Sequence, residues 1–189
     1  MRKKIGILIE NRFIEREIYY YQARFAEEGY EVVLLTRLWN QPQLTFKGLE
    51  LGAEITANNS FEYLTENELS EYAAIIAPAG YVSDYLLYSE KPCTVSPAAK
   101  FIERIMKDKS IVKGFICHSL WLAAPVKDVF KNRVVTCHNN IISHVKNAGM
   151  TYVDRDIRDD EDLITARTGG DYPQFVRSLL EKIRIKNGG

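Results

Sequence analysis

Short, nearly continuous apolar runs alternate along this chain with longer amphipathic ones. KIGILIE (4–10) has the pattern of a strand buried on both faces of a sheet. REIYYYQARFAEEG (16–29) places Ile18, Tyr21, Gln22 and Phe25 near helical spacing, and Gly29 suits the left-handed residue that ends many helices. YEVVLLT (30–36) predicts a second buried strand. Together they form a βαβ unit, hence a parallel pair with a right-handed crossover. LTFKGLELGAEIT (44–56) alternates weakly and is rich in turns, which suits a small hairpin or edge pair.

YAAIIAPAG (72–80) predicts a third core strand ending in a glycine turn. SPAAKFIERIMKDK (96–109) is an amphipathic helix with Pro97 in its first turn. SIVKGFIC (110–117), RVVTC (133–137) and DLITAR (162–167) predict the fourth, fifth and sixth strands. YPQFVRSLLEKIRI (172–185) closes as a helix, with Phe175, Val176, Leu179, Leu180 and Ile183 on one stripe. Strands alternating with helices predict an α/β fold with a mostly parallel sheet. Ligands bind such sheets at the carboxyl ends of strands. The exits to inspect are therefore Glu10 to Glu17, Pro78 to Asp84, and Cys117 to Ser119.

Composition narrows the chemistry. The 189 residues suit a single domain, 1–189, and 25 basic residues balance 25 acidic ones. That balance argues against a basic nucleic-acid footprint. Cys93, Cys117 and Cys137 lack Cys-x-x-Cys spacing, which argues against a disulfide framework and a structural zinc site and suits a reducing cytoplasm. The apolar run near the start ends at Glu10, too early for a signal peptide, and no stretch has the length of a membrane span. Without a Gly-x-Gly-x-x-Gly or P-loop pattern, nucleotide binding has no support, and neither cofactor nor metal is expected.

GFICHSLWLAAP (114–125) holds the strongest candidate chemistry. A strand there runs into a helix with almost no loop, which pushes the Cys117 side chain out of the sheet at a strained turn. A thiol at the amino end of a helix is favoured as thiolate by the dipole and the free N–H groups. His118 serves as proton acceptor only if a sharp bend brings its ring back to the sulfur, because neighbours on an extended strand point to opposite faces. The competing reading is a buried, structural cysteine, the role assigned to Cys93 and Cys137.

This stretch resembles the nucleophile elbow of the ThiJ/PfpI superfamily. Three other segments agree in order: ENRFIEREIYYYQARFAEEGYEVVLLT, AAIIAPAGYVSDYL, and VVTCHNNIISHVKNAGMTYVDRDIRDDEDLITART. The resemblance covers nearly the whole chain. It implies a flavodoxin-like, doubly wound α/β/α sandwich of the class I glutamine amidotransferase type. The activity it implies is that of a cysteine hydrolase, an intracellular protease or amidase. Alternatives are a glyoxalase or deglycase acting on 2-oxoaldehydes, an isonitrile hydratase, or a redox-sensing stress-response protein. It also implies a small-molecule or peptide substrate and a homodimer or larger homo-oligomer, with Tyr19 and Tyr20 facing the interface.

The resemblance assigns further residues. Glu17 takes the place of the family's elbow glutamate, whose protonated carboxyl would donate a hydrogen bond to the thiolate; its position alone favours a solvated first-turn carboxylate. Ala79, Gly80 and Ser119 would offer backbone N–H groups to an oxyanion. Asp84 would orient His118 of a neighbouring chain, or simply cap its own helix. Departures are also visible. Ser119-Leu120 stands where many members have Gly-Pro, and Trp121 is bulky enough to narrow the pocket. Ser143-His144 replaces an Asp-Asp or Lys-Asp pair. His138 sits where it could line the site, and both it and His144 suit polar surface positions.

Overall fold

The computed structural model describes residues 3–188. In chain order the elements begin with β1 (Lys4–Leu8), α1 (Glu15–Glu27), β2 (Glu31–Thr36), β3 (Leu44–Lys47), β4 (Glu54–Ala57), β5 (Asn59–Ser60), α2 (Glu66–Leu69), β6 (Tyr72–Ala77), α3 (Val82–Leu86) and α4 (Pro97–Lys107). They continue with β7 (Val112–Ile116), a 3-10 segment (Ser119–Val129), β8 (Val134–Val135), α5 (Ile142–Asn147), β9 (Thr151–Tyr152), β10 (Ile157–Asp160), β11 (Leu163–Ala166) and α6 (Tyr172–Lys186).

The main sheet runs β10-β11-β7-β6-β1-β2-β5. Its pairs are parallel except β10 with β11. Counted alone, the five long parallel strands lie in the order 2-1-3-4-5, the flavodoxin-like doubly wound arrangement. α1 packs beside α6, and α4 beside the 3-10 segment, so helical layers cover the sheet. β1, β6 and β7 are almost wholly buried, which is why they read as continuous apolar runs.

Local signals end the elements where the sequence predicts. Gly29 adopts φ 81° just past α1. Ser96 caps α4 by accepting from Ala99 N–H, with Pro97 in the first turn. The α6 stripe is buried residue for residue. The hairpin read in 44–56 is β3 with β4, antiparallel and outside the main sheet.

Two elements differ from expectation. RVVTC is not a main-sheet strand: only Val134–Val135 is extended, and it pairs with β9 in a separate two-stranded sheet. β7 already lies between β6 and β11, and β10 closes the edge beyond β11, so the sheet has no place for it. Arg133 instead reaches Asp160 (Nε to Oδ2, 2.6 Å) and Asp162 (Nη2 to Oδ1, 2.8 Å), and Asp162 also binds the buried Lys113. The helix expected after Cys117 is a 3-10 segment that kinks at Val126 (φ −130°), where Pro125 removes a donor and crowds the preceding turn.

The loop between β3 and β4 is held against α1 by one side chain. Glu15, 2% exposed, accepts from the N–H groups of Glu50 (2.7 Å), Leu51 (2.8 Å) and Ala53 (3.3 Å). Burial opposes its charge, but the backbone donors prevail and hold the carboxyl down at about 2. A depressed carboxyl contributes stability above its unfolded value and loses it as pH falls. Glu15→Ala should therefore cost about 1–3 kcal/mol at neutral pH. The gap to wild type should close as pH drops from about 4.5 toward 2, which urea denaturation across that range measures.

Candidate active site

Cys117 leaves β7 with φ 62°, a left-handed backbone that costs a non-glycine residue roughly 1–3 kcal/mol. Three hydrogen bonds hold it there. Its own N–H donates to Ala166 O (3.0 Å), its carbonyl accepts from His138 N–H (3.1 Å), and Ile116 N–H donates to Ser119 Oγ (2.7 Å). The turn sets two adjacent side chains side by side, so that Cys117 Sγ lies 3.3 Å from His118 Nδ1. The thiol opens on a cavity of about 420 Å³ lined also by Ala79, Gly80, Asp84, Trp121, Asn140 and Gly169.

The sulfur is not a preformed thiolate. Burial pushes the thiol up to about 11, against N–H groups of Gly169 and His118 that favour the charged form, and the negative charges of Glu17 and Asp171 push it further up. The expected helix-dipole effect is weak because a kinked 3-10 segment follows the cysteine. Burial also lowers the basicity of His118, as does nearby His138, while Asp84 opposes them. The resting pair is therefore neutral thiol beside neutral imidazole.

Glu17 is fully buried, which removes the solvated alternative. Its carboxyl accepts from Tyr21 OH (2.7 Å) and from Ala79 N–H (3.1 and 3.2 Å to its two oxygens). Among the described residues it makes no recorded hydrogen bond to Cys117 and acts on the sulfur through charge. Burial raises it to about 7 despite the Tyr21 and Ala79 donors.

The oxyanion assignments change in two places. Ala79 N–H is committed to Glu17, so it is not free to meet an oxyanion. Ser119 is buried and does not line the cavity; its hydroxyl closes the elbow instead. Gly80 does line it, and its φ of 81° lets Tyr81 N–H reach Arg12 O (3.2 Å). Asp84 lines the same cavity as His118 of its own chain and acts on that ring by charge.

The histidines form a rack that sequence reading divided. The His118 ring lies 4.4 Å from His138 and stacks on Trp121 at 5.3 Å, and His144 meets Trp121 edge-on at 6.0 Å. Gly169 also escaped the sequence reading. It follows β11, in a turn where Thr168 N–H and Oγ1 both donate to Asp171 Oδ2 (2.8 and 2.7 Å). Inspecting the exit of DLITAR, like the other strand exits, would have found it. Tyr20 packs on Tyr172 of the same chain (5.0 Å), which leaves Tyr19 as the exposed member of that pair.

Residues 3–182 match the DJ-1/PfpI family. The chain belongs to that family. This DJ-1/PfpI protein is 31% identical over 181 residues to "Protein/nucleic acid deglycase 2" of Escherichia coli strain K12, covering 95% of this chain and 97% of the relative. It is 24% identical over 189 residues to "Putative cysteine protease YraA" of Bacillus subtilis strain 168, covering 97% and 100%. Its fold matches Schizosaccharomyces pombe DJ-1 with a TM-score of 0.77 at 19% identity, over 98% of this chain and 97% of the other. Among the described residues of this family member, no helix is long and apolar enough to cross a membrane.

The raised Glu17 carboxyl has a thermodynamic signature. The native chain keeps a proton there up to about pH 7, whereas the unfolded chain releases it near the ordinary glutamate value of 4.5. Stability should fall as pH rises through that window, by on the order of 3 kcal/mol. Glu17→Gln, whose amide oxygen can still accept from Tyr21 and Ala79, should remove this part of the slope in urea midpoints taken between pH 4.5 and 8.

Proposed function

We propose that this cavity is the active site of a cysteine-nucleophile enzyme that removes small carbonyl adducts from amines, a deglycase. The observation that carries this reading is the 3.3 Å approach of Cys117 Sγ to His118 Nδ1 at the cavity wall. Neutral thiol beside neutral imidazole is the ground state of a nucleophile activated by its base during attack. As sulfur bonds to the carbon carrying nitrogen, the thiol proton passes to His118. The C–N bond breaks and the amine leaves with that proton. In this reading Gly80, which lines the cavity, offers its N–H to charge developing on the substrate oxygen, and Asp84 steadies the transient imidazolium. The hydroxyl on that carbon then passes its proton through His118 to the sulfur as the S–C bond breaks, so the adduct leaves as a free aldehyde and the thiol is restored.

The name of the Escherichia coli relative supports this reading. So does the cavity, which Leu49, Tyr81 and Trp121 wall in, with a volume suited to a small ligand. An amidase or peptidase would use the same residues, and the Bacillus subtilis relative's name points that way. A redox-sensing role finds less support, since a thiol held near 11 carries little thiolate at neutral pH.

Methylglyoxal-modified lysine and guanosine, with a peptide amide beside them, make the deciding assay. Wild type should release free amine from the adducts, and Cys117→Ser should abolish the release. His118→Ala should lower kcat/KM by about 10²–10⁴. Turnover of the peptide amide alone would replace deglycase with amidase, and turnover of none would end the enzyme reading. Iodoacetamide should modify Cys117 at a rate that keeps climbing with pH beyond about 9, because thiolate is the reacting form. A plateau below pH 7 would show a preformed thiolate and contradict the activation step.

A further inference from the structure

The spacing of cysteines and histidines gave no metal pattern, yet the fold gathers three soft ligands. One ligand atom each from Cys117, His118 and His138 lies within 4.8 Å of the others. We propose that these three side chains bind a borderline-soft divalent cation of the zinc type, leaving a fourth position open to the cavity.

Zinc bonds sulfur at about 2.3 Å and imidazole nitrogen at about 2.0–2.1 Å, so tetrahedral ligand atoms lie about 3.5 Å apart. Cys117 Sγ and His118 Nδ1 are already 3.3 Å apart. The His118 and His138 rings are 4.4 Å apart between centroids, so closing the triangle takes a side-chain rotation of His138. The two ligand segments are already tied together, because His138 N–H donates to Cys117 O at 3.1 Å. Binding by His138 gives up its ring nitrogen's 3.3 Å bond from Asn140 N–H, which is exposed and replaceable by water.

The donor set selects the ion. One thiolate and two imidazoles suit zinc, whereas magnesium and calcium take oxygen ligands. Three protein ligands with an open position form the arrangement of sites that exchange their fourth ligand. Asn140 and Asp84 line the cavity at that opening. Binding forms the S–Zn bond, and the thiol proton leaves to solvent; no oxidant or reductant is involved. The cation then occupies both the sulfur and the His118 nitrogen, so it silences the nucleophile reversibly. The site can be tested without any turnover and so stands apart from the deglycase reading.

The test uses the full chain carrying Cys93→Ser, because Cys93 is exposed and would bind zinc by itself. Zinc is titrated against a chromophoric chelator, and cobalt(II) serves as the spectroscopic probe. One equivalent of zinc should bind with micromolar or tighter affinity, and cobalt should give a thiolate-to-metal charge-transfer band. Cys117→Ser should abolish the band. Loss of an outer partner to a zinc ligand already costs 10–100-fold in affinity, so Cys117→Ser and His138→Gln should each weaken zinc binding by more than about 100-fold. Zinc should also protect wild-type Cys117 from iodoacetamide, a reading that needs no variant to fold. The proposal fails if wild type binds no zinc at micromolar concentration or if zinc leaves Cys117 unprotected. It fails equally if His138→Gln, shown to be folded by a far-ultraviolet circular dichroism spectrum matching wild type, binds zinc as wild type does.

Discussion

One left-handed residue organises this molecule's chemistry. On an extended strand Cys117 and His118 would point to opposite faces of the sheet. With φ at 62° the chain reverses, and sulfur and imidazole share one wall of a cavity. The strain is local, but what opposes it is not. The Cys117 backbone is tied to β11 through Ala166 and to the segment after β8 through His138, and the Ser119 hydroxyl closes the turn from within. A buried parallel sheet holds those anchors fixed, so the elbow inherits the rigidity of the core.

The same burial sets the protonation of the sulfur. A thiol this enclosed, with Glu17 and Asp171 contributing negative charge, keeps its proton. Arg16, which lines the cavity, is paired with Glu50 at 3.0 Å and exposed to solvent, where screening weakens its reach. The imidazole of His118 is the basic group in contact with the sulfur. Glu17 fits this picture as a modulator. Poised near neutrality, it adds a negative charge to the sulfur's surroundings when ionised and none when protonated. Its hydrogen bond to Ala79 N–H also fixes the turn after β6, the element that carries Gly80 into the cavity.

Much of this was legible in the sequence, for definite reasons. Strands buried on both faces leave unbroken apolar runs, and β1, β2, β6, β7 and β11 each left one. The strand-exit rule pointed to Cys117 and Gly80, which line the cavity, and to Glu17, which is buried against Ala79. RVVTC misled because three apolar residues look alike in a main sheet and in a two-residue side pairing. Lys113 was invisible in SIVKGFIC because a buried lysine depends on partners, Asp162 and the Asp108 carbonyl, that only the fold supplies. Ala79 was given the wrong duty because pattern shows that a backbone N–H exists, not which acceptor claims it. His138 was set aside for the same kind of reason: its closeness to Cys117 comes from a backbone hydrogen bond between distant segments.

The departures from the family pattern at Ser119, Leu120 and Trp121 are best understood through what these residues contact. A sequence drifting after loss of function would leave the elbow loosely held. Here Ser119 Oγ accepts the strand's last N–H at 2.7 Å, and Trp121 stacks on His118 while His144 packs against its edge. Leu120 is buried in the core. Each changed residue thus supports the elbow or the histidine that serves it. Stacking also restricts the rotation of His118, which keeps Nδ1 turned to the sulfur instead of to solvent. The same indole lines the cavity, so the contact that restrains the His118 ring also narrows the space beside the thiol.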